Sequence, residues 1–120
     1  MATILLSDDE LELRVTLAKH LQRAGHQVLT ASNGNEALAV MRHAAANLVI
    51  TDMPEKGDLE TITELRREFP ELPVIAISRG GILDPTNYLP LARKLGADRT
   101  FAKPFSSSDM LIAVRELLGQ

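Results

Sequence analysis

An α/β fold built on a five-stranded parallel sheet is what this sequence predicts, and three observations carry the prediction. Short apolar runs rich in β-branched residues alternate with helical apolar stripes five times along 120 residues. Turn-forming and helix-capping residues fall between them. Side chains able to do chemistry gather where the apolar runs stop. Ile4-Leu5-Leu6-Ser7 ends in Asp8-Asp9, Leu48-Val49-Ile50-Thr51 in Asp52, Val74-Ile75-Ala76-Ile77 in Ser78, and Thr100-Phe101-Ala102 in Lys103-Pro104. Parallel sheets with helical crossovers collect their ligands outside the carboxyl ends of the strands.

Thr3 to Ser7 reads as the first strand. The helix after it carries Leu13, Leu17, Leu21 and Ala24 on one stripe, and Gly25 follows where a left-handed cap is wanted. Gln27 to Ala31 forms a short second strand, closed by Ser32-Asn33-Gly34. Ala37, Leu38, Met41, Ala44 and Ala45 share one face of the second helix. Asn47 to Thr51, apolar on both faces, is the third strand. Leu59, Ile62, Leu65 and Phe69 point inward from a third helix whose exit is bracketed by Pro70 and Pro73. Val74 to Ile77 is the fourth strand, followed by a loop from Arg79 that is long for such folds. Tyr88, Leu91, Ala92 and Leu95 mark a fourth helix ended by Gly96, and Arg99 to Ala102 a fifth strand. Ser106 to Ser108 offer N-caps to a last helix with the stripe Met110, Leu111, Val114, Leu117 and Leu118.

The length predicts one domain over residues 1–120. A net charge of −3 argues against a nucleic-acid-binding surface, which normally carries a basic excess. The absence of cysteine excludes disulfides and thiolate chemistry. No apolar stretch approaches the ~18 residues of a membrane span, and no basic-then-apolar leader precedes the first strand. A cytoplasmic protein is expected.

Four strand ends would deliver Asp8, Asp9, Asp52, Ser78 and Lys103 to one crevice. Carboxylates crowded together repel and resist ionising unless a cation sits among them. Mg²⁺ suits an all-oxygen site that keeps waters and meets a phosphate. The expectation is a metal-assisted phosphoryl site. Taken singly, each residue has a plainer reading. Asp8, Asp9 and Asp52 suit helix N-caps, Ser78 a loop hydroxyl, Lys103 a solvated lysine and Phe101 a core aromatic. His20, His26 and His43 match no metal spacing and read as surface residues. Arg66-Arg67 and Arg93-Lys94 read as solvated helix faces.

Asp8-Asp9-Glu10, Asp52, Ser78 and Lys103-Pro104-Phe105, in that order and at about these separations, resemble the receiver domains of two-component response regulators from end to end. The resemblance implies a flavodoxin-like, doubly wound sheet of order 2-1-3-4-5 with five helices. It implies that Asp52 accepts a phosphoryl group from a histidine kinase or histidine phosphotransfer protein. Asp9 would hold Mg²⁺ directly and Asp8 mostly through water. Lys103 and Ser78 would each take a phosphoryl oxygen, and Phe101 would turn inward as the switch aromatic. A partner-binding face would then change for a downstream target. Such a protein is a phosphoacceptor, not an enzyme, though it assists its own phosphorylation and dephosphorylation.

Two features depart from the family pattern. Met53-Pro54 follows Asp52 at once, which shortens the following loop by two residues and puts Pro54 where a backbone carbonyl would reach Mg²⁺. Arg79 follows Ser78 where small residues are common. Neither Pro54 nor Gly80 can orient an attacking water, so a long-lived phosphoryl state is expected. The alternative reading is a receiver-like interaction module that works without phosphorylation, for which the short loop speaks. A phosphatase would place a second aspartate where Pro54 stands. A flavin carrier would need a hydroxyl-rich phosphate loop and aromatics beyond Tyr88.

Overall fold

The computed structural model describes residues 2–53, 58–79 and 88–119. Strands β1 (Thr3–Ser7), β2 (Gln27–Ala31), β3 (Leu48–Asp52), β4 (Val74–Ser78) and β5 (Arg99–Ala102) alternate with helices α1 (Leu11–Arg23), α2 (Gly34–Ala44), α3 (Leu59–Glu68), α4 (Leu89–Leu95) and α5 (Ser107–Leu117). All strand pairs are parallel and their order is β2-β1-β3-β4-β5, as expected.

Side chains on a strand alternate between faces, and here the alternation builds two cores. Leu5, Val49, Val74 and Ala76 pack with Ala37 and Met41 of α2, Ile62 and Leu65 of α3, and Ala92 of α4. Ile4, Leu6, Leu48, Ile50, Ile75 and Ile77 pack with Leu17 and Leu21 of α1 and Met110 and Val114 of α5. The central strands are therefore apolar along their middles, because both their faces are covered, and turn polar only toward their ends. The register aligns the strand ends: Ser7 pairs with Thr51, Asp52 with Ile77, and Ser78 with Ala102.

Local chemistry fixes the helix ends. Gly25 takes φ 96° just beyond α1, as its position predicts. Asn33 caps α2 by accepting from Glu36 N at 2.9 Å, and Ser106 caps α5 by accepting from Asp109 N at 3.3 Å. Gly34 is buried where α2 crosses α3, and any Cβ there would overlap the Thr61 hydroxyl.

Several expectations need correcting. The third strand runs from Leu48 to Asp52 rather than from Asn47, whose side chain instead accepts from Thr3 N at 2.8 Å. Ala24, Ala44 and Ala45 are exposed, since each stripe drifts off the sheet as its helix ends. Leu91 and Leu95 are also exposed; on the seven-residue α4 only Ala92 is buried. His26 is not a surface residue. It is buried where the chain turns into β2, its Nδ1 lacks a hydrogen-bond partner among the described residues, and burial pushes its pKa down. Arg66 is not a solvated helix residue either. Its guanidinium donates to Pro70 O, Leu72 O, Gly96 O and Asp98 Oδ2 at 2.9, 2.8, 2.6 and 3.0 Å.

Candidate functional site

Strand ends bring the sequence-predicted residues together at the carboxyl edge of the sheet. Asp8 leaves the end of β1, Asp52 closes β3, Ser78 closes β4, and Lys103 follows β5. Backbone bonds lock these ends: Asp8 N donates to Ala31 O at 3.1 Å, Met53 N to Ile77 O at 2.8 Å, and Lys103 N to Ser78 O at 2.8 Å. The Lys103–Pro104 peptide is cis.

Lys103 stands at the centre. Its Nζ lies 3.2 Å from Asp8 Oδ2, 3.3 Å from Asp52 Oδ2 and 2.8 Å from Glu10 Oε1. Asp8 is 1% and Asp52 5% exposed, whereas Asp9 and Glu10 reach into solvent. Asp8 Oδ1 accepts from Glu10 N at 2.8 Å, a bond within the loop that caps no helix turn. The capping alternative for Asp8 and Asp9 therefore fails: α1 begins after Glu10 without a side-chain cap.

Electrostatics follow from this crowding. Burial pushes the Asp52 carboxyl up to about 7, and the Asp8 charge adds to it against the pull of Lys103. Burial raises Asp8 as well, although the Glu10 N–H and Lys103 oppose it. Burial works against the charge of Lys103, but Glu10, Asp52 and Asp8 outweigh it and hold the ammonium above its ordinary range.

Among the described residues, Asp8 Oδ2 and both oxygens of Asp52 are buried without a hydrogen-bond partner. Buried carboxylate oxygens normally have partners, so this trio marks a place where one cation is too few. Asp8, Asp9 and Glu10 also bring one oxygen each within 4.8 Å of one another. All of these donors are hard oxygens, which fits a divalent cation such as Mg²⁺. A cleft of 240 Å³ lies over them, bounded by Asp8, Asp9, Asn33, Gly34 and Asp52. Pro54, expected to supply a carbonyl, lies outside the described residues, as does the loop beyond Arg79.

Ser78 is buried, and its hydroxyl donates to Arg79 O at 3.3 Å. Phe101 is half-buried in the α1–α5 core, its ring 5.7 Å from that of Phe105 at 55°. Three residues make contacts that the sequence did not assign. Glu10 makes the shortest contact to Lys103, and only its place third in an acidic run signals it. Arg14 donates to Asp8 O at 2.9 Å and Ser32 Oγ at 3.1 Å, tying the acidic loop to the turn after β2. Met53, 1% exposed, anchors the residue after Asp52 in the core that faces α2 and α3. Arg79 extends to the rim, with Nη2 3.8 Å from Asp9 Oδ2 and 3.7 Å from Glu10 Oε1.

Residues 4–115 match the family model for the response regulator receiver domain. A probable transcriptional regulator, ycf27, of Cyanophora paradoxa is 36% identical over 118 residues, covering 96% of this chain and 47% of that protein. The transcriptional regulatory protein CpxR of Klebsiella pneumoniae is 34% identical over 120 residues, 98% of this chain and 50% of that one. The chain thus spans about half the length of the curated relatives it matches. Among solved structures, the receiver domain of NtrX from Brucella abortus superposes with a TM-score of 0.86 at 30% identity, covering 98% of both chains. A response regulator receiver domain from Clostridium thermocellum gives 0.88 at 30%, covering 99% of this chain and 95% of that one. Among the described residues, no helix is long and apolar enough to cross a membrane.

Proposed function

The chain belongs to the response regulator receiver domain family of two-component systems, and from that premise we propose that Asp52 is its phosphoacceptor. The observation that carries the proposal is the Asp52 carboxylate itself, buried, without a hydrogen-bond partner among the described residues on either oxygen, and 3.3 Å from Lys103 Nζ. The donor is a phosphohistidine on a histidine kinase or histidine phosphotransfer protein. An Asp52 oxygen attacks phosphorus, the P–N bond breaks as the P–O bond forms, and the imidazole leaves.

Positioning and charge do most of the work in such a transfer. Lys103 offers a compact, steerable charge to one phosphoryl oxygen. Ser78 exchanges its bond to Arg79 O for a second oxygen, and Phe101 follows into the space it leaves. Asp8, Asp9 and Asp52 would hold Mg²⁺. When bound, the ion neutralises charge on the phosphoryl oxygens. The chain is a reactant consumed once per transfer rather than an enzyme, and its readout is a changed partner-binding face.

Incubation with a phosphorylated histidine phosphotransfer domain and Mg²⁺ tests the reading. Wild type should gain one hydroxylamine-labile phosphoryl group, and Asp52→Asn none, because an amide is no nucleophile. Equal labelling of Asp52→Asn would refute the assignment.

A further inference from the structure

Lys103 makes its shortest contact with an acid outside the buried group. Its Nζ donates to Glu10 Oε1 at 2.8 Å, against 3.2 Å to Asp8 and 3.3 Å to Asp52. The Glu10 side chain is 46% exposed, so the fold does not pack it there; the lysine draws it in. The same Oε1 lies 3.7 Å from Arg79 Nη2, and the Arg79 side chain is 56% exposed. Both residues, with Lys103 and Phe105, border an open cleft of 540 Å³ beside the acidic site. One carboxylate oxygen therefore stands between two cations, one inside the site and one at its rim.

Resting on the phosphoacceptor reading, we propose that Glu10 is a resident counter-anion of Lys103, handed to Arg79 when a phosphoryl group arrives on Asp52. An ammonium has three N–H donors, and here three carboxylates surround it. A phosphoryl oxygen needs one of those directions. Glu10 is the carboxylate that yields it, because Asp8 and Asp52 are fixed by burial, Asp8 also by the Glu10 N–H, while Glu10 is held by its ion pairs. Released beside a phosphoryl dianion, Glu10 would be repelled. Arg79 receives it less than 4 Å away, within the reach of side-chain rotation. Neither residue exchanges a bond with phosphorus; both are positioning residues. The arrangement makes Glu10 a brake on phosphoryl binding and Arg79 its release.

Affinity for beryllofluoride, a phosphoryl mimic, measured on the full chain by NMR titration at saturating Mg²⁺, tests this without any turnover. Glu10→Gln should bind it about fivefold more tightly, the scale of a partly exposed ion pair. Glu10→Asp keeps the charge but is one methylene too short to join Lys103 and Arg79, and should lie closer to Gln than to wild type. Arg79→Gln should weaken binding roughly threefold in the wild-type background and leave the Glu10→Gln background unchanged. Unchanged melting midpoints verify that all variants fold. An unaltered affinity in Glu10→Gln overturns the inference. So does a Glu10→Asp variant that matches wild type, which would mean that bare charge suffices. An equal effect of Arg79→Gln in both backgrounds also overturns it, because Arg79 would then act on the phosphoryl group directly. Binding that ignores Glu10 sinks this inference alone; no binding by any variant, wild type included, sinks the phosphoacceptor reading with it.

Discussion

Two charged clusters sit at opposite edges of the same sheet and are built on opposite principles. At the amino edge, Arg66 sends its guanidinium to three carbonyls and Asp98, and Asp98 Oδ2 also accepts from Val74 N at 2.8 Å. Every charge there is answered, and the cluster ties the end of α3 to β4 and to the turn between α4 and β5. At the carboxyl edge, Asp8 and Asp52 are more deeply buried, yet among the described residues three of their oxygens lack hydrogen-bond partners and one lysine serves three acids. The first cluster stabilises the fold. The second is held at a cost in stability, the usual mark of a site shaped for something that arrives later.

Breaking the satisfied cluster should have the larger effect. Arg66→Ala leaves Asp98 and three carbonyls short of a donor, which is expected to destabilise the protein by about 2–4 kcal/mol, read by chemical denaturation. A loss no larger than that of an exposed control would mean that water replaces the guanidinium.

Relieving the unsatisfied cluster should do the reverse. Asp52→Asn removes a buried charge facing Asp8 and is expected to stabilise the apo protein at pH 8 by about 2 kcal/mol. The sign follows from linkage. The folded-state pKa of Asp52 is raised from 3.8 to about 7, so the folded protein holds a proton that the unfolded chain has already released. The Asp52 contribution to stability is thus fully present below about pH 4 and is lost as pH rises toward 7. The midpoint difference between Asp52→Asn and wild type should open across that window, and a flat difference would show that Asp52 titrates normally.

Mg²⁺ sharpens the contrast from the other side. Its stabilisation should reach several degrees at pH 8 and shrink toward pH 5 as the carboxylates take up protons. Arg66→Ala should leave that increment intact, since the two edges share no partner. The smallest effect belongs to the solvent-exposed Arg42–Glu68 pair, which is bidentate at 2.8 and 2.6 Å. Arg42→Ala should scarcely move the midpoint.

The same contrast separates what sequence could reveal from what it hid. Strand ends announce themselves because burial on both faces forces continuous apolar runs, so Asp8, Asp52, Ser78 and Lys103 were legible as one crevice. The resemblance to receivers then supplied the strand order. Arg66 was hidden because its acceptors are mostly backbone carbonyls, which leave no trace in a side-chain pattern, and because it neighbours Arg67, whose ion pair with Glu64 is an ordinary surface contact. Glu10 was half-visible: its acidity stood in the sequence, but its turn toward Lys103 depends on a loop conformation that no periodicity encodes. His26 and Leu91 erred in opposite directions for one reason. Polarity predicts exposure only on average, and a tight turn or a short helix overrides it.

Chemical mapping of the phosphoryl group tests the central claim most directly. The protein is phosphorylated in the presence of Mg²⁺, reduced with borohydride, which converts an acyl phosphate to homoserine, and digested for peptide sequencing by mass spectrometry. The account requires the modification at residue 52 and nowhere else. Modification at Asp8, Asp9 or Glu10 with residue 52 intact would contradict it.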